Sequence, residues 1–300
     1  MSAEDQLHLL NAQSGYYRKL ISGVGDDAIA IFGRRMAVWD ASTTHALALR
    51  IASSASSSDD KSRMYDDIRS YFLRRAICGL TTKNYNKIFM QLLRKLAATE
   101  LTPNSLRAAL ASLEGSASRW PRNDEFKNCW LNDPAYPGRL NAPRAKAILA
   151  ELETGLRTAR SEEPVPGGLE NLDVEHVLPT NWFEFWPLAD NSKAERAEVG
   201  SVAIAMLSGQ SLSDRQQAIK RREDAKATMG NLNLLHYGVN RSLQHQEFAV
   251  KREKLFAETN LHLNRSLLLL KKWDETEIVS RGQALFKVAA KLWRGPEEVS

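Results

Sequence analysis

The chain reads as mainly α, with a small β element confined to its second half. Three observations lead there. Apolar residues recur at three-to-four spacing through the first 160 residues. No strand-like alternation of useful length appears before residue 165. Two short β-like runs, 169–178 and 231–236, follow it.

The elements can be justified in order. Residues 28–38 and 44–52 are short apolar-periodic runs, each long enough for a short helix. A Ser/Ala loop over 53–58 leads to Asp59-Asp60, a natural N-cap for a helix over 61–78. Met64, Ile68, Tyr71, Phe72 and Ala76 give that helix its apolar face, and Gly79 stands where a C′ glycine stops a helix. Ile88, Phe89, Leu92, Leu93 and Leu96 repeat the pattern over 85–98. Pro103-Asn-Ser105 opens a helix over 106–113, and 124–131 and 142–158 supply two more. Ser161-Glu-Glu-Pro-Val-Pro-Gly-Gly168 is the clearest linker signal in the sequence. It predicts an all-helical domain over 1–160 and an α+β domain over 161–300. In the latter, a strand within 169–178 precedes an aromatic cluster of Trp182, Phe183, Phe185 and Trp186. Two polar helices around Gly209, the second capped by Ser213, lead to the second strand. Helices over 240–259 and 274–293 close the chain.

Bulk properties narrow the class. Three hundred residues exceed what one core commonly holds, and 43% hydrophobic with 26% charged content describes a globular chain. The apolar run Leu267–Leu270 is cut at once by Lys271 and Lys272, far short of a membrane span. The start, Met-Ser-Ala-Glu-Asp, lacks the pattern of a secretory signal. Two cysteines, Cys78 and Cys129, are too few for a disulfide framework or a Cys-based zinc site, so the cytoplasm is the expected compartment. The net charge of +5 is uneven: residues 161–300 hold 18 Lys+Arg against 20 Asp+Glu. The basic excess lies in the first half, where phosphate attraction or plain solvation would both suit it.

The chemistry gathers in the second half. Asp173-Val-Glu-His-Val-Leu-Pro179 places acids and a histidine at the end of a β-like run. Gly230-Asn-Leu-Asn-Leu-Leu235 and Asn240 follow about sixty residues later. Phosphodiester cleavage needs an activated nucleophile and charge stabilisation at the phosphate. His176, with an ordinary pKa of about 6.5, suits the first task. A single Mg²⁺ or Mn²⁺, held by oxygen ligands, suits the second. Asn240 and an acid beside the histidine are the candidate ligands, and Asn231 would brace the loop bearing the histidine. Lys251 and Arg252 could reach a phosphate, or be ordinary surface charges. Arg74 and Arg75 could contact DNA, or pair with Asp66 and Asp67. The aromatic cluster could stack on bases, though core packing is the more ordinary role.

These motifs resemble the C-terminal HNH (His-Me finger, ββα-metal) nuclease half of GmrSD and SspE type modification-dependent restriction and phage-defence enzymes. The resemblance rests on Val174-Glu-His-Val-Leu-Pro179, Met229-Gly-Asn-Leu-Asn-Leu-Leu235, Asn240, Phe248 and Lys251-Arg252. The closing set Trp273-Asp-Glu, Ile278, Arg281, Leu285, Trp293 joins it, as does Tyr71-Phe-Leu-Arg-Arg-Ala-Ile-Cys-Gly79 in the helical half. The resemblance implies a mainly α chain ending in an α+β HNH domain with extra helices. It implies His176 as general base, Asn231 as the middle residue of the triad and Asn240 as the helix-borne metal ligand. Glu175 takes the position of the acidic ligand. On a regular strand it and His176 face opposite ways, so both reach one site only where the strand ends or bulges, and Asp173, on the same face as Glu175, is the alternative ligand. Relatives of this type carry an NTP-dependent sensor domain with a Gly-Gln-Gln-Arg motif, for which this sequence has no counterpart and no Walker-type loop. The expectation is therefore a partner sensor domain outside this chain, reading phosphorothioate, glucosylated or methylated DNA. The alternative is a catalytically silent HNH-fold module that binds DNA or protein.

Overall fold

The computed structural model describes residues 3–157, 171–236 and 246–297. By contacts the chain forms two compact units, residues 1–126 with 290–300, and residues 127–289. The expected linker at 161–168 lies outside the described residues.

The helices of the first unit are α1 (Ala3–Ser22), α2 (Ala28–Met36), α3 (His45–Ser53), α4 (Ser58–Ile77), α5 (Tyr85–Ala97) and α6 (Pro103–Ala111). Helix α4 is its centre, with Met64, Tyr65, Ile68, Tyr71, Phe72, Leu73 and Ile77 all buried. The N-cap is Ser57, whose hydroxyl accepts from Asp60 N at 3.1 Å, so the helix starts earlier than Asp59-Asp60 suggested. Those two acids instead occupy its first turn, where negative charge favours the helix dipole. Gly79, at φ +65°, takes the left-handed position that ends it. Helix α1 has no expected counterpart, because its apolar residues are diluted by polar ones and by Gly15.

Arg74 and Arg75 on α4 are fully buried. Arg74 donates to the carbonyls of Trp293 (2.8 Å) and Pro121 (3.1 Å) and to Asn123 Oδ1 (2.6 Å). Arg75 donates to the carbonyls of Arg119 (2.7 Å), Thr81 (2.6 Å) and Ala117 (2.9 Å), and to the Tyr85 hydroxyl. This corrects the DNA-contact expectation for both: the guanidinium groups are spent on carbonyls inside the unit. Nor do they pair with the neighbouring acids. Asp66 holds Arg69, and Asp67 holds Arg107.

The second unit is built around a two-stranded antiparallel sheet, β1 (Leu172–His176) and β2 (Leu232–His236). Leu172 pairs with His236, Val174 with Leu234 and His176 with Leu232. Two strands are marginal alone, so helices must cover them. Residues 123–132 form α7 (Asn123–Asn132) and 142–156 form α8 (Ala142–Leu156), which lies against both strands. After β1 come α9 (Arg196–Leu207) and α10 (Asp214–Lys226), the latter capped by Ser213. After β2 come α11 (Phe248–Glu258), α12 (His262–Leu268) and α13 (Glu275–Leu292).

Glu153 of α8, wholly buried, accepts from His262 N (3.1 Å) and Leu263 N (2.9 Å) at the start of α12 and pairs with Arg157. A side chain from before residue 158 thus satisfies orphan N–H groups of a helix well after residue 170. The apolar core includes Val177, Leu178, Trp182, Trp186, Ile219, Leu235, Phe248, Leu255, Trp273 and Ile278. Trp182 and Trp186 are therefore core residues. Phe185, 40% exposed, instead lines a cleft of about 390 Å³ with Trp186, Phe248, Lys272 and Trp273.

Candidate active site

β1 keeps a regular register through His176, so its side chains alternate. Asp173 and Glu175 face one way and His176 the other. Asp173 is exposed. Glu175 is half-buried and its Oε1 accepts from Lys251 Nζ at 3.0 Å. The same ammonium donates to the His176 carbonyl at 3.1 Å. Lys251 is buried, and burial pulls its pKa below the ordinary lysine value while Glu175 opposes the shift. A phosphate cannot reach an amine so placed. Lys251 ties α11 to the end of β1, which corrects its expected DNA role. Arg252 is half-buried and donates to Leu270 O at 2.8 Å, bracing the segment after α12.

The His176 ring lies over Tyr136, with centroids 5.7 Å apart and planes 16° from parallel. Its Nε2 stands 2.8 Å from the Tyr136 carbonyl oxygen. A carbonyl only accepts, so Nε2 carries the proton and Nδ1 keeps its lone pair. Burial is the largest influence on this imidazole and holds its pKa below the ordinary value. The Tyr136 carbonyl and Glu175 pull the other way, while Lys251 and Lys226 add to the lowering. The outcome is a neutral ring of fixed tautomer at pH 7, with one basic nitrogen. Its carbonyl partner is itself anchored, since Ala135 N and Tyr136 N both donate to Ala227 O, at 2.8 and 3.3 Å.

Asn231 holds the loop after the histidine. It is completely buried. Its Nδ2 donates to Leu178 O (2.9 Å) and Lys226 O (2.7 Å). Its Oδ1 accepts from Leu178 N (2.7 Å) and from the Trp273 indole (3.0 Å). Val177 N donates to the Asn231 carbonyl at 3.0 Å, extending the ladder by one bond. The amide is thus saturated by protein and touches no space where a substrate could sit.

The structure brings His176, Asn231, Glu175 and Lys251 together at the end of β1. It leaves Asp173 in solvent and Arg74 and Arg75 in the other unit's core. Asn240 lies outside the described residues. Among the described residues no three His, Cys, Asp or Glu side chains gather as a metal site. Asp173 and Glu175 offer hard oxygen donors on one face of β1, the type Mg²⁺ or Mn²⁺ prefers, but a cation at Glu175 would have to displace the Lys251 ammonium. Sequence reasoning missed Tyr136. Its only signal was the Pro134-Ala-Tyr-Pro-Gly138 turn, which says loop but not partner.

The His176 imidazole is held by Tyr136 at the end of the sheet, and the comparison with known families names a class of hydrolase: restriction endonucleases. Residues 120–288 match the model of the GmrSD restriction endonucleases, C-terminal domain, and the chain belongs to that family. A nuclease role, with DNA as substrate, follows from membership. No curated protein and no solved structure matches the chain. No helix among the described residues is long and apolar enough to cross a membrane.

Proposed function

We propose that the chain is a divalent-metal-dependent DNA endonuclease of the HNH type, the cutting half of a system that senses DNA modification. His176 Nδ1 accepts the proton of the attacking water, and the Tyr136 carbonyl keeps the resulting imidazolium in register through Nε2. Glu175 or Asp173, with Asn240, would hold the cation; these acids leave β1 on the face opposite His176, so one shared phosphate requires the chain to turn where β1 ends at His176. A bound divalent cation supplies charge stabilisation at the phosphate and the departing 3′ oxygen. Products would carry 5′-phosphate and 3′-hydroxyl ends. A separate NTP-dependent sensor domain would decide which DNA is cut. The observation that carries the reading is the 2.8 Å Nε2 contact to Tyr136 O, which leaves Nδ1 as a base.

The test is nicking of supercoiled plasmid in Mg²⁺ or Mn²⁺. His176→Ala should abolish it while the unfolding midpoint is kept; cleavage surviving in a clean preparation of that variant sinks the reading. One observation favours a silent DNA-binding module instead: Lys251 already neutralises Glu175. DNA binding that persists in EDTA, without nicking in either metal, would select that alternative.

A further inference from the structure

We infer that Arg281 is a positioning residue for the His176 site, fixing the Asn231 turn from beneath through two backbone carbonyls. The inference rests on the nuclease reading for its catalytic readout and on geometry for the rest. Arg281 projects from α13 and is 5% exposed. One nitrogen, Nη1, donates to Gly230 O at 2.6 Å and to Leu232 O at 2.8 Å. Nη2 reaches Leu263 O at 3.3 Å. The first two carbonyls flank Asn231 on either side, so one nitrogen brackets the residue that holds Leu178.

The charge has no acidic partner among the described residues. Burial alone moves its pKa, downward to about 10, which leaves it protonated at neutral pH. Its Nε lacks any acceptor among the described residues. A charge buried on these terms is costly. An apolar side chain could fill the same space without that cost, but it could not hold two carbonyls at one point. The backbone geometry is equally tight. A Cβ added to Gly230 would stand 2.2 Å from Ile278 O, and one on Gly282 would stand 3.5 Å from Gly230 Cα. The Asn231 turn therefore rests directly on α13, with Arg281 as its clamp. From there the path is short: Asn231 to Leu178, and Leu178 to His176 two residues back along the chain.

The experiment uses the full chain carrying Arg281→Met or Arg281→Lys, with two readouts. In plasmid nicking, Arg281→Met should lower kcat by about 10- to 100-fold with KM within about twofold, since a displaced base weakens the transition state and not DNA binding. In native-state hydrogen exchange, the Val177 and Leu178 amides should exchange at least about tenfold faster while Leu152 in α8 keeps its protection. Arg281→Lys keeps a donor but not the fork, so it should recover part of both effects; it also carries the test if the Met variant does not fold. Wild-type protection of Val177 and Leu178 in a folded variant overturns the inference, as does a wild-type kcat. If the wild-type chain cuts nothing, the nuclease reading fails, and the exchange readout alone decides the role of Arg281.

Discussion

Replacing Asn231 by alanine removes four hydrogen bonds at one buried point. Two of the stranded groups are donors, Leu178 N and the Trp273 indole, formerly 2.7 and 3.0 Å from Oδ1. Two are acceptors, the carbonyls of Leu178 and Lys226, formerly 2.9 and 2.7 Å from Nδ2. A buried donor left unsatisfied costs about 1–3 kcal/mol, so the donors alone account for about 2–6 kcal/mol. Carbonyls tolerate loss better, and water can enter the vacated space only if it finds polar partners there, which it would. The expected net loss is about 3–4 kcal/mol. Urea denaturation, followed by tryptophan fluorescence, measures it, since Trp273 loses its partner in the same step. Asn231→Asp is the informative companion: it keeps both acceptor contacts and loses both donor contacts, at the cost of a buried charge. A loss below about 1 kcal/mol in Asn231→Ala, with an unchanged slope against urea, would refute the idea that this amide holds the strand end.

Two further residues, His176 and Arg75, carry testable outcomes. The pKa of His176 is lowered in the folded state, so the unfolded chain binds its proton first as pH falls. Its contribution to stability is therefore full above about pH 6.5 and is lost as pH falls through the lower folded value. Nicking should hold its plateau below pH 6.5 and then fall tenfold per pH unit; an acid limb centred above 6.5 in a pH–rate profile would contradict a buried neutral base. Arg75→Ala should cost about 3–5 kcal/mol by stranding the carbonyls of Arg119, Thr81 and Ala117, while leaving the salt dependence of DNA binding unchanged. A stable variant whose affinity loses about one unit of salt slope would restore Arg75 to the DNA surface.

Much of the architecture was written in local pattern. Helix α4 was legible because Met64, Ile68, Tyr71 and Phe72 share a face and Gly79 ends it. The strand Leu232–His236 was legible from its short apolar run. The pairing of β1 with β2 put His176 opposite Leu232, and the grouping of His176, Asn231 and Glu175 was read from motif order alone. What stayed hidden depends on distant partners. The burial of Arg74 and Arg75 could not be seen, because their acceptors come from residues 117–123 and 293 and are backbone atoms that leave no mark in composition. Lys251 looked like a surface charge for the same reason: its acceptors, on β1, lie about 75 residues away. The polar helix α1 and the short α12 lacked a strong apolar stripe or a recognisable cap.

The Pro- and Gly-rich stretch at 161–168 invites a cut, and Glu153 and Tyr136 show why a fragment starting there would be poor material. Both lie upstream of it, yet one closes the start of α12 and the other supplies the oxygen that fixes the His176 tautomer. Trimmed at 161, the polypeptide would keep every residue of the expected HNH motif but lose the first part of the matched family domain, and with it the carbonyl that holds the imidazole tautomer. The motif and its working environment are encoded on opposite sides of the most obvious seam.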